Sequence, residues 1–291
     1  MEAVITYRKR TITTDDIKFI KELIAERPQE SRRALSKRIC QAWNWTQPNG
    51  YLKDMVCRSM LLQLERGGHL VLPPKKRHPH NPLAKRKAPA RVEVDMSPIQ
   101  SKLKQLLPLT ILQVRRSSRE KLFNSLLEQY HYLGYTQPVG EHLKYLVFSG
   151  KRPLACFSWS SAARHIGCRD RFIGWDQKAR QKNLPLLAYN SRFLILPWVR
   201  VPYLASHLLG KISQRISSDW EDLYHHRLYF LETFVDTERF SGTCYRAANW
   251  MHLGQTTGLG KNDQTKRVNR SIKDVYGYIL SQDFKERMRH V

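Results

Sequence analysis

Apolar residues recur three and four positions apart in three stretches near the start of the chain, which predicts three helices. The first begins at a cap, Thr14 or Asp15, and the second begins after Ser31. The third, "YLKDMVCRSMLLQLER", ends at Gly67-Gly68, because glycine commonly terminates helices. "NWTQPNG" predicts a turn between the second and third helices, and "HLVLPP" predicts a short strand after the third.

Helix, helix, turn, helix and strand is the order of a winged helix, so residues 1–72 predict a winged-helix-like DNA-binding module. The third helix would enter the major groove, where arginine contacts base edges and lysine contacts phosphate. The alternative is a plain helical bundle with solvated charges. The candidate DNA-binding residues of this module are Arg32, Arg33, Lys37, Arg38, Tyr51, Lys53 and Arg58.

A basic, proline-rich segment follows over residues 73–100. Its first part, "PPKKRHPHNPLAKRKAPAR", contains seven lysines or arginines, five prolines and no acid. Proline and the repulsion between like charges oppose packing, so we expect a linker that lies along a phosphate backbone. Nuclear targeting is the other meaning of such a run. Its candidate DNA contacts are Lys75, Lys76, Arg77, Lys85, Arg86 and Lys87.

Helical and strand patterns alternate over residues 101–291, which predicts one larger domain. A helix capped near Ser118 is followed by a hairpin that turns at Gly150, and a short helix is expected over residues 177–182. The apolar strand "RFLILP" leads into a long helix, and "RLYFLETFVD" is a further strand. "TERFSGTCYRAANWMHLG" predicts a short helix and a strand, and we expect the tail "TKRVNRSIKDVYGYIL" to be helical in part.

This order of elements resembles the GNAT acyltransferase fold over residues 118–260, which implies an α+β domain with a mixed sheet flanked by helices. The resemblance also implies that acyl-CoA pyrophosphate would bind at the step from strand to helix near Leu196–Leu204. Such a site needs glycines that let backbone N–H groups approach the pyrophosphate. Here "VRVPYLAS" has no glycine, and Pro202 has no N–H. We therefore expect a structural turn, or a DNA phosphate contact through Arg200, and no acyl-CoA cofactor.

Net charge is the compositional outlier. Fifty lysines and arginines face 25 acids, for a formal net charge of +25. Such an excess is typical of proteins that bind nucleic acid, since solubility needs far less charge. No apolar run is long enough for a membrane span, and "MEAVITYRKR" lacks the apolar core of a signal peptide, so we expect a cytoplasmic protein without a membrane partner. The five scattered cysteines predict neither a zinc site nor a disulfide framework.

A more specific resemblance covers nearly the whole chain. It rests on "WNWTQPNGYLKDM", "YHYLGYTQPVG", "LKYLV", "RPLACFSWSSAARHIGCRDRFIGW", "YNSRFLILPWVRVPYLASHLLG", "LETFVD" and "GTCYRAANW". Together these stretches resemble the Druantia anti-phage protein A family. The resemblance implies a role in defence against phage beside a large helicase-like partner, or alternatively a role in a mobile element. It assigns no catalytic residues. A looser resemblance to the phage Mu Mom DNA-modification protein implies base modification as another alternative.

Acids at a strand end are the candidate chemistry of the large domain. Glu232 and Asp236 stand four residues apart in "LETFVD" and would face the same side of a strand. With Asp219 they would offer a divalent-metal site for a nuclease, whereas a structural role would pair them with nearby arginines such as Arg171, Arg192 and Arg246. Further candidates for chemistry are Tyr245, Cys244 and His131.

We therefore expect a DNA-binding protein of a phage-defence or mobile-element system. The competing class is a DNA-acting enzyme, either a base-modifying transferase or a nuclease, and a divalent metal is expected only for the nuclease. The remaining candidate DNA contacts of the large domain are Arg200, Arg246, Lys261, Lys266, Arg267 and Arg270.

Overall fold

Two units make up the chain, Met1–Arg86 and Lys87–Val291. The computed structural model describes residues 2–8, 10–47, 50–76, 88–259 and 268–290. Within these ranges, no helix is long and apolar enough to cross a membrane. Seven of the predicted DNA contacts lie outside the described residues: Arg77, Lys85, Arg86, Lys87, Lys261, Lys266 and Arg267.

The first unit is a β-hairpin followed by three helices. Its elements are β1 (Ala3–Tyr7), β2 (Arg10–Thr13), α1 (Thr14–Glu26), α2 (Arg32–Ala42) and α3 (Asp54–Arg66). The hairpin strands pair antiparallel, and one apolar cluster joins the hairpin to all three helices. The three predicted helices are confirmed. The hairpin was not predicted.

Polar caps fix the starts of α1 and α2. The Thr13 side chain accepts a hydrogen bond from the Asp16 N–H, and the Asp16 carboxylate accepts one from the Thr13 N–H. This capping box makes Thr13 the cap, rather than the predicted Thr14 or Asp15, because only Thr13 is followed three positions later by an acid, Asp16, that can accept from its backbone N–H. Ser31 caps α2 as predicted, with its hydroxyl accepting from the Ala34 N–H at 3.1 Å.

The strand predicted at "HLVLPP" is wrong. Residues 69–74 form no strand, and Leu70 and Leu72 are buried in the apolar cluster of the first unit. The alternation that suggested a strand comes from these two leucines packing against the helices. Among the described residues of the first unit, no strand follows α3 where the wing was expected, and the hairpin of this unit precedes α1.

The second unit contains sixteen further strands and helices in its described residues. They are β3 (Ile99–Gln100), α4 (Leu103–Leu106), β4 (Thr110–Gln113), α5 (Glu120–Tyr130), β5 (His142–Ser149), β6 (Arg152–Ser161), α6 (Gly167–Ile173), α7 (Gln177–Asn183), β7 (Leu187–Ile195), β8 (Val199–Arg200), α8 (Leu204–Tyr224), β9 (Phe230–Asp236), α9 (Thr243–Ala247), β10 (Met251–Gln255), β11 (Lys273–Ile279) and α10 (Phe284–Arg289). The predicted order of helix, hairpin, strand, helix, strand, helix and strand is confirmed, as is the short helix α7.

One seven-stranded mixed sheet organises this unit, in the order β10-β11-β9-β7-β6-β5-β4. β5 and β6 form the predicted hairpin and are buried along almost their whole length, because helices cover the sheet. A large apolar core includes residues of α5, α8 and the central strands, and a smaller one forms where α6, α7 and α10 pack near Phe230. The predicted mixed sheet flanked by helices is thus confirmed.

The prediction of a partly helical tail is wrong for residues 273–279. This segment is β11, which pairs antiparallel with both β9 and β10. Val275 and Tyr276 are buried there, as β-branched and aromatic residues commonly are in a central strand. The helix of the tail, α10, begins only at Phe284.

The end of the predicted linker packs on the second unit. The Val92 N–H donates to the Ser125 hydroxyl at 2.8 Å, and Ile99–Gln100 pairs in parallel with Val199–Arg200. Residues 88–100 therefore belong to the larger unit as folded chain, although their sequence continues a proline-rich segment.

Candidate functional site

β7 and β9, the two parallel strands at the centre of the sheet, diverge. They pair only from Leu187 and Phe230 to Asn190 and Thr233. Beyond that point β7 keeps its outer partner β6, and β9 keeps its outer partner β11. A cavity of about 480 Å³ opens between the two strands, bordered also by residues 130–133 after α5 and by the start of α9. We call this cavity the cleft.

The floor of the cleft holds a hydrogen-bonded group of three side chains. The Tyr245 hydroxyl donates to Asn190 Oδ1 at 2.7 Å, and Thr233 Oγ1 lies 3.4 Å from the same hydroxyl. Asn190 Nδ2 donates to the Ser158 and Arg192 carbonyls at 3.1 and 3.2 Å, which fixes the orientation of the amide. Burial raises the pKa of Tyr245, so its phenol stays protonated at neutral pH.

Aromatic rings stand at the mouth of the cleft. Tyr132 and Phe240 are 41 % and 51 % exposed, and their ring centroids are 5.4 Å apart. The His131 ring stacks on Tyr132 at 4.8 Å. Burial, with a smaller contribution from Arg192, lowers the pKa of His131 to about 4, so its imidazole is neutral at pH 7. The three rings at the mouth are therefore uncharged at pH 7.

Charged residues on the walls of the cleft are mostly basic. Arg192 and Lys273 line it from opposite strands, and Asp236 is the acid among the described lining residues. The Arg239 guanidinium lies 5.2 Å from the centroid of Tyr132. Asp236 accepts a hydrogen bond from the Ser271 hydroxyl at 3.3 Å. Of the predicted catalytic residues, the structure brings Asp236 and Tyr245 to this cleft.

Glu232 lies away from the cleft, in a buried ion pair. Arg169 Nη1 lies 3.1 Å from each of its carboxylate oxygens, and neither side chain is exposed. Arg169 also contacts Asp170 at 2.8 Å. Burial raises the pKa of Glu232, and Arg169 opposes that rise. Glu232 thus has an arginine partner, although Arg169 is not one of the arginines that the sequence suggested.

Asp219, proposed with these acids as a metal ligand, is engaged elsewhere. It accepts a hydrogen bond from the Tyr145 hydroxyl at 2.7 Å and from Arg215 Nε at 2.8 Å. Within the described part of the chain, no three His, Cys, Asp or Glu side chains are grouped so that they could hold a metal ion. Four cysteines are buried and Cys244, in the wall of the cleft, is partly so.

The turn between β7 and α8 does not fit a pyrophosphate. The Val199 N–H already donates to Leu196 O at 2.9 Å, and the Leu204 N–H donates to Val201 O at 3.3 Å. Pro202 has no N–H to offer, and Tyr203 caps the helix in the left-handed conformation without a side-chain hydrogen bond. The turn before α8 therefore has no glycine and offers few of the backbone donors that bind an acyl-CoA pyrophosphate.

The predicted DNA-contacting arginines of the first unit form ion pairs with nearby acids. The N···O distances run from 2.7 Å to 3.6 Å, and the pairs are Arg32–Glu65, Arg33–Asp54, Arg38–Glu30 and Arg58–Asp54. These pairs are exposed or partly exposed, and surface ion pairs of this kind contribute little stability. A groove of about 340 Å³ between α2 and α3 is lined by three of these arginines, Arg32, Arg33 and Arg58.

The other predicted DNA contacts of the first unit are solvent-facing. Lys37, Lys75 and Lys76 are exposed, Tyr51 is 74 % exposed, and Lys53 is half-buried. Lys75 lines the groove with the three arginines, whereas Lys37, Lys53, Lys76 and Tyr51 lie outside it.

In the second unit, Arg200, Arg246 and Arg270 are exposed. Arg246 Nη1 donates to the Ser241 carbonyl at 2.8 Å and to the Tyr276 hydroxyl at 3.0 Å, which holds the side chain near the start of α9. None of the three arginines lines the cleft.

The analysis of the sequence missed most of the cleft. Asn190, Phe240 and Lys273 were not singled out, Arg192 was considered only as an ion-pair partner, and Tyr132 was noticed only as part of a family-like stretch. Asn190 carried a usable signal, because a polar residue at a buried position of an apolar strand needs a hydrogen-bonding reason. The other residues of the cleft come together only in the folded chain, at the point where β7 and β9 stop pairing.

The chain thus has a helical basic unit and a mixed-sheet unit whose central strands part to form a cleft. It belongs to the Druantia protein DruA family, whose model matches residues 63–285. Among curated proteins, none matches the chain.

Solved acetyltransferases resemble the chain loosely in fold. An N-acetyltransferase from Staphylococcus aureus Mu50 is 8 % identical, with 59 % of this chain and 97 % of that chain covered and a TM-score of 0.39. A Bacillus subtilis acetyltransferase, solved in complex with CoA, is 8 % identical, with 60 % and 99 % covered and a TM-score of 0.38. TM-scores of this size say nothing about the activity of this chain.

Proposed function

We propose that this protein is a DNA-binding component of an anti-phage defence system. The observation that carries the proposal is the net charge of +25, together with membership in the Druantia protein DruA family. A charge excess of this size favours a polyanionic partner. The family membership supports a role in defence, alongside other proteins of the system, of which a helicase-like protein is the expected partner.

The α2–turn–α3 segment is the proposed duplex-binding surface. Its exposed lysine, Lys37, and the groove lined by Arg32, Arg33 and Arg58 offer cations to a phosphate backbone. The ion pairs of these arginines are exposed or partly exposed, so phosphate can replace the carboxylates without uncovering a buried charge. α3 is the proposed recognition helix, and binding does not depend on a wing after it.

Titration of a labelled duplex at increasing salt tests this proposal. We expect log K to fall linearly with log salt, and Lys37→Ala to reduce the slope by about one unit while weakening all sequences alike. The matched control is Lys18→Ala, which removes an exposed lysine from α1, outside the proposed surface. A flat titration, or no binding at low salt, contradicts the proposal.

A second candidate function is a transferase that modifies DNA bases. The cleft favours it, because a cavity of about 480 Å³ with a buried polar floor is a typical site for a small group or a base. We propose that such a reaction does not use acyl-CoA, because the turn before α8 lacks the donors for its pyrophosphate. Mass spectrometry of DNA from cells with and without the protein tests this candidate.

A further inference from the structure

The cleft offers its ligand a floor of hydrogen-bond acceptors. The Asn190 amide hydrogens are directed to the Ser158 and Arg192 carbonyls, and the Tyr245 hydrogen is directed to Asn190 Oδ1. The Thr233 hydroxyl has one hydrogen, which lies within reach of Asn190 O at 3.2 Å and of the Tyr245 oxygen at 3.4 Å. These three side chains therefore have unused lone pairs but no unused donor, and a ligand group that donates hydrogen bonds suits them.

The mouth of the cleft offers flat apolar surfaces to the same ligand. Tyr132 and Phe240 are large aromatic residues that remain substantially exposed although they contact each other. Exposed aromatic rings at a concave site are stacking surfaces for planar ligands. Neutral His131 behind Tyr132 supports that ring without adding a charge. The ligand is therefore planar at one end and donates hydrogen bonds at its edge.

The charges around the cleft define the rest of the ligand. Arg192 and Lys273 on its walls, with Arg239 beside the Tyr132 ring, outnumber Asp236. Arg192 is held in place by its hydrogen bonds to the Gly134 and Ser191 carbonyls, at 3.2 and 2.7 Å. A ligand with an anionic backbone matches this excess of fixed positive charge. A planar, amino-bearing ring on a phosphate backbone is a nucleotide.

We propose that the cleft between β7 and β9 binds an unstacked, amino-bearing nucleobase of a DNA strand, stacked on Tyr132 and Phe240 with its amino group directed to Asn190 and Tyr245. The inference rests on the proposed function, because it takes DNA as the partner. Adenine and cytosine present an amino group where thymine presents a carbonyl oxygen, and guanine carries its amino group at another position of the ring. The floor therefore favours adenine and cytosine and disfavours thymine. Because a base paired within a duplex cannot reach the floor, the cleft requires single-stranded or extruded DNA.

Fluorescence anisotropy with the full-length protein tests the inference from the ligand side. The probes are labelled oligo(dA), oligo(dC) and oligo(dT), a duplex, and an oligo(dA) analogue in which purine, which lacks the amino group, replaces adenine. We expect oligo(dA) and oligo(dC) to bind roughly tenfold more tightly than oligo(dT), with the purine strand close to oligo(dT). Equal binding of the adenine, purine and thymine strands overturns the inference.

Variants of the mouth test it from the protein side. Tyr132→Ala and Phe240→Ala should each weaken oligo(dA) binding about tenfold and leave duplex binding within twofold, since stacking on an aromatic ring contributes roughly 1–3 kcal/mol per base. The matched control is Tyr203→Ala, which removes a tyrosine that is 82 % exposed and does not line the cleft. Both test positions are exposed enough for the variants to fold, and thermal melting verifies this.

The outcomes separate this inference from the proposed function. Duplex binding with no effect of Tyr132→Ala or Phe240→Ala on single strands overturns only the base-binding cleft. A protein that binds no DNA at low salt overturns both. Free AMP that binds the cleft more tightly than oligo(dA) assigns it to a free nucleotide instead of a strand, and likewise overturns the inference.

Discussion

Arg169 and Glu232 form an ion pair that no solvent reaches, with Arg169 Nη1 at 3.1 Å from both carboxylate oxygens. The pair joins α6 to the central strand β9, and the Ala163 N–H adds a hydrogen bond to the same carboxylate at 3.3 Å. Removing one partner of such a pair leaves a buried charge without its counterion, which costs more than the pair itself contributes.

Glu232→Gln is therefore expected to lower the free energy of unfolding by about 3 kcal/mol, at the low end for a broken buried pair, because Arg169 keeps Asp170 as a partner. Denaturant titration measures the change. The matched control is Glu221→Gln, which breaks an exposed pair with Arg227 and should change stability by less than about 1 kcal/mol. A stable Glu232→Gln protein that binds DNA but has no function in cells would instead make Glu232 a catalytic residue.

Much of the second unit was predictable because the pattern of apolar residues in its sequence matches the burial of those residues in the structure. β5 and β6 are buried on both faces and meet at Gly150, whose positive φ of 56° suits a tight turn. β11 was mistaken for helix because charged residues at its start, Lys273 and Asp274, obscure the alternation. The N-terminal hairpin was missed because its strands are only five and four residues long.

The cleft was harder to predict than the fold. Glu232 and Asp236 were predicted to lie together because residues four positions apart on a strand face the same side. The sequence does not show that Arg169, which is 63 positions away, pairs with Glu232. Nor does it show that Asp236 lies beside a cavity. The point at which two parallel strands cease to pair depends on what packs between them, and the residues of the mouth come from segments far apart in the chain.

Gly277 and Gly210 provide a test of the packing that holds β11 in the sheet. A Cβ at Gly277 would overlap the Phe230 ring and lie 2.8 Å from Leu253 Cδ1, so Gly277→Ala should destabilise the protein by roughly 1–3 kcal/mol. At Gly210, in α8, a Cβ meets nothing within 4 Å. Gly210→Ala should therefore stabilise the protein by about 0.5–1 kcal/mol. Thermal melting of both variants measures this, and equal effects would contradict the packing around β11.

Acetyl-CoA is expected not to bind at the turn before α8. The Val199 and Leu204 N–H groups already have backbone acceptors, and Pro202 contributes no donor, so a pyrophosphate would lack the hydrogen bonds that hold it. Isothermal titration calorimetry should show no tight site, with a CoA-binding acetyltransferase titrated under the same conditions as the positive control. One tight site abolished by substitutions in the turn would make an acyl transferase the leading function.

His131 is expected to titrate at about pH 4 rather than near its ordinary 6.5, because burial and, to a smaller extent, Arg192 disfavour the imidazolium. Its Nδ1 accepts a hydrogen bond from the Leu133 N–H at 3.2 Å, so the neutral ring has an acceptor role that protonation removes. As pH falls below 6.5 the unfolded chain takes up the proton first. The contribution of His131 to the free energy of unfolding should therefore decline between pH 6.5 and about 4 and then level off.

NMR titration of the His131 ring signals measures this pKa directly, with His131→Gln identifying the signals. Burial also lowers the pKa of His142 and His207, so the wild-type protein should lose stability over the same range for more than one reason. The difference between wild type and His131→Gln isolates the part due to His131, and that variant should lose less stability on acidification. A midpoint near 6.5 would mean that the mouth of the cleft carries a positive imidazolium at mildly acidic pH, and Tyr132 would then stack on a charged ring.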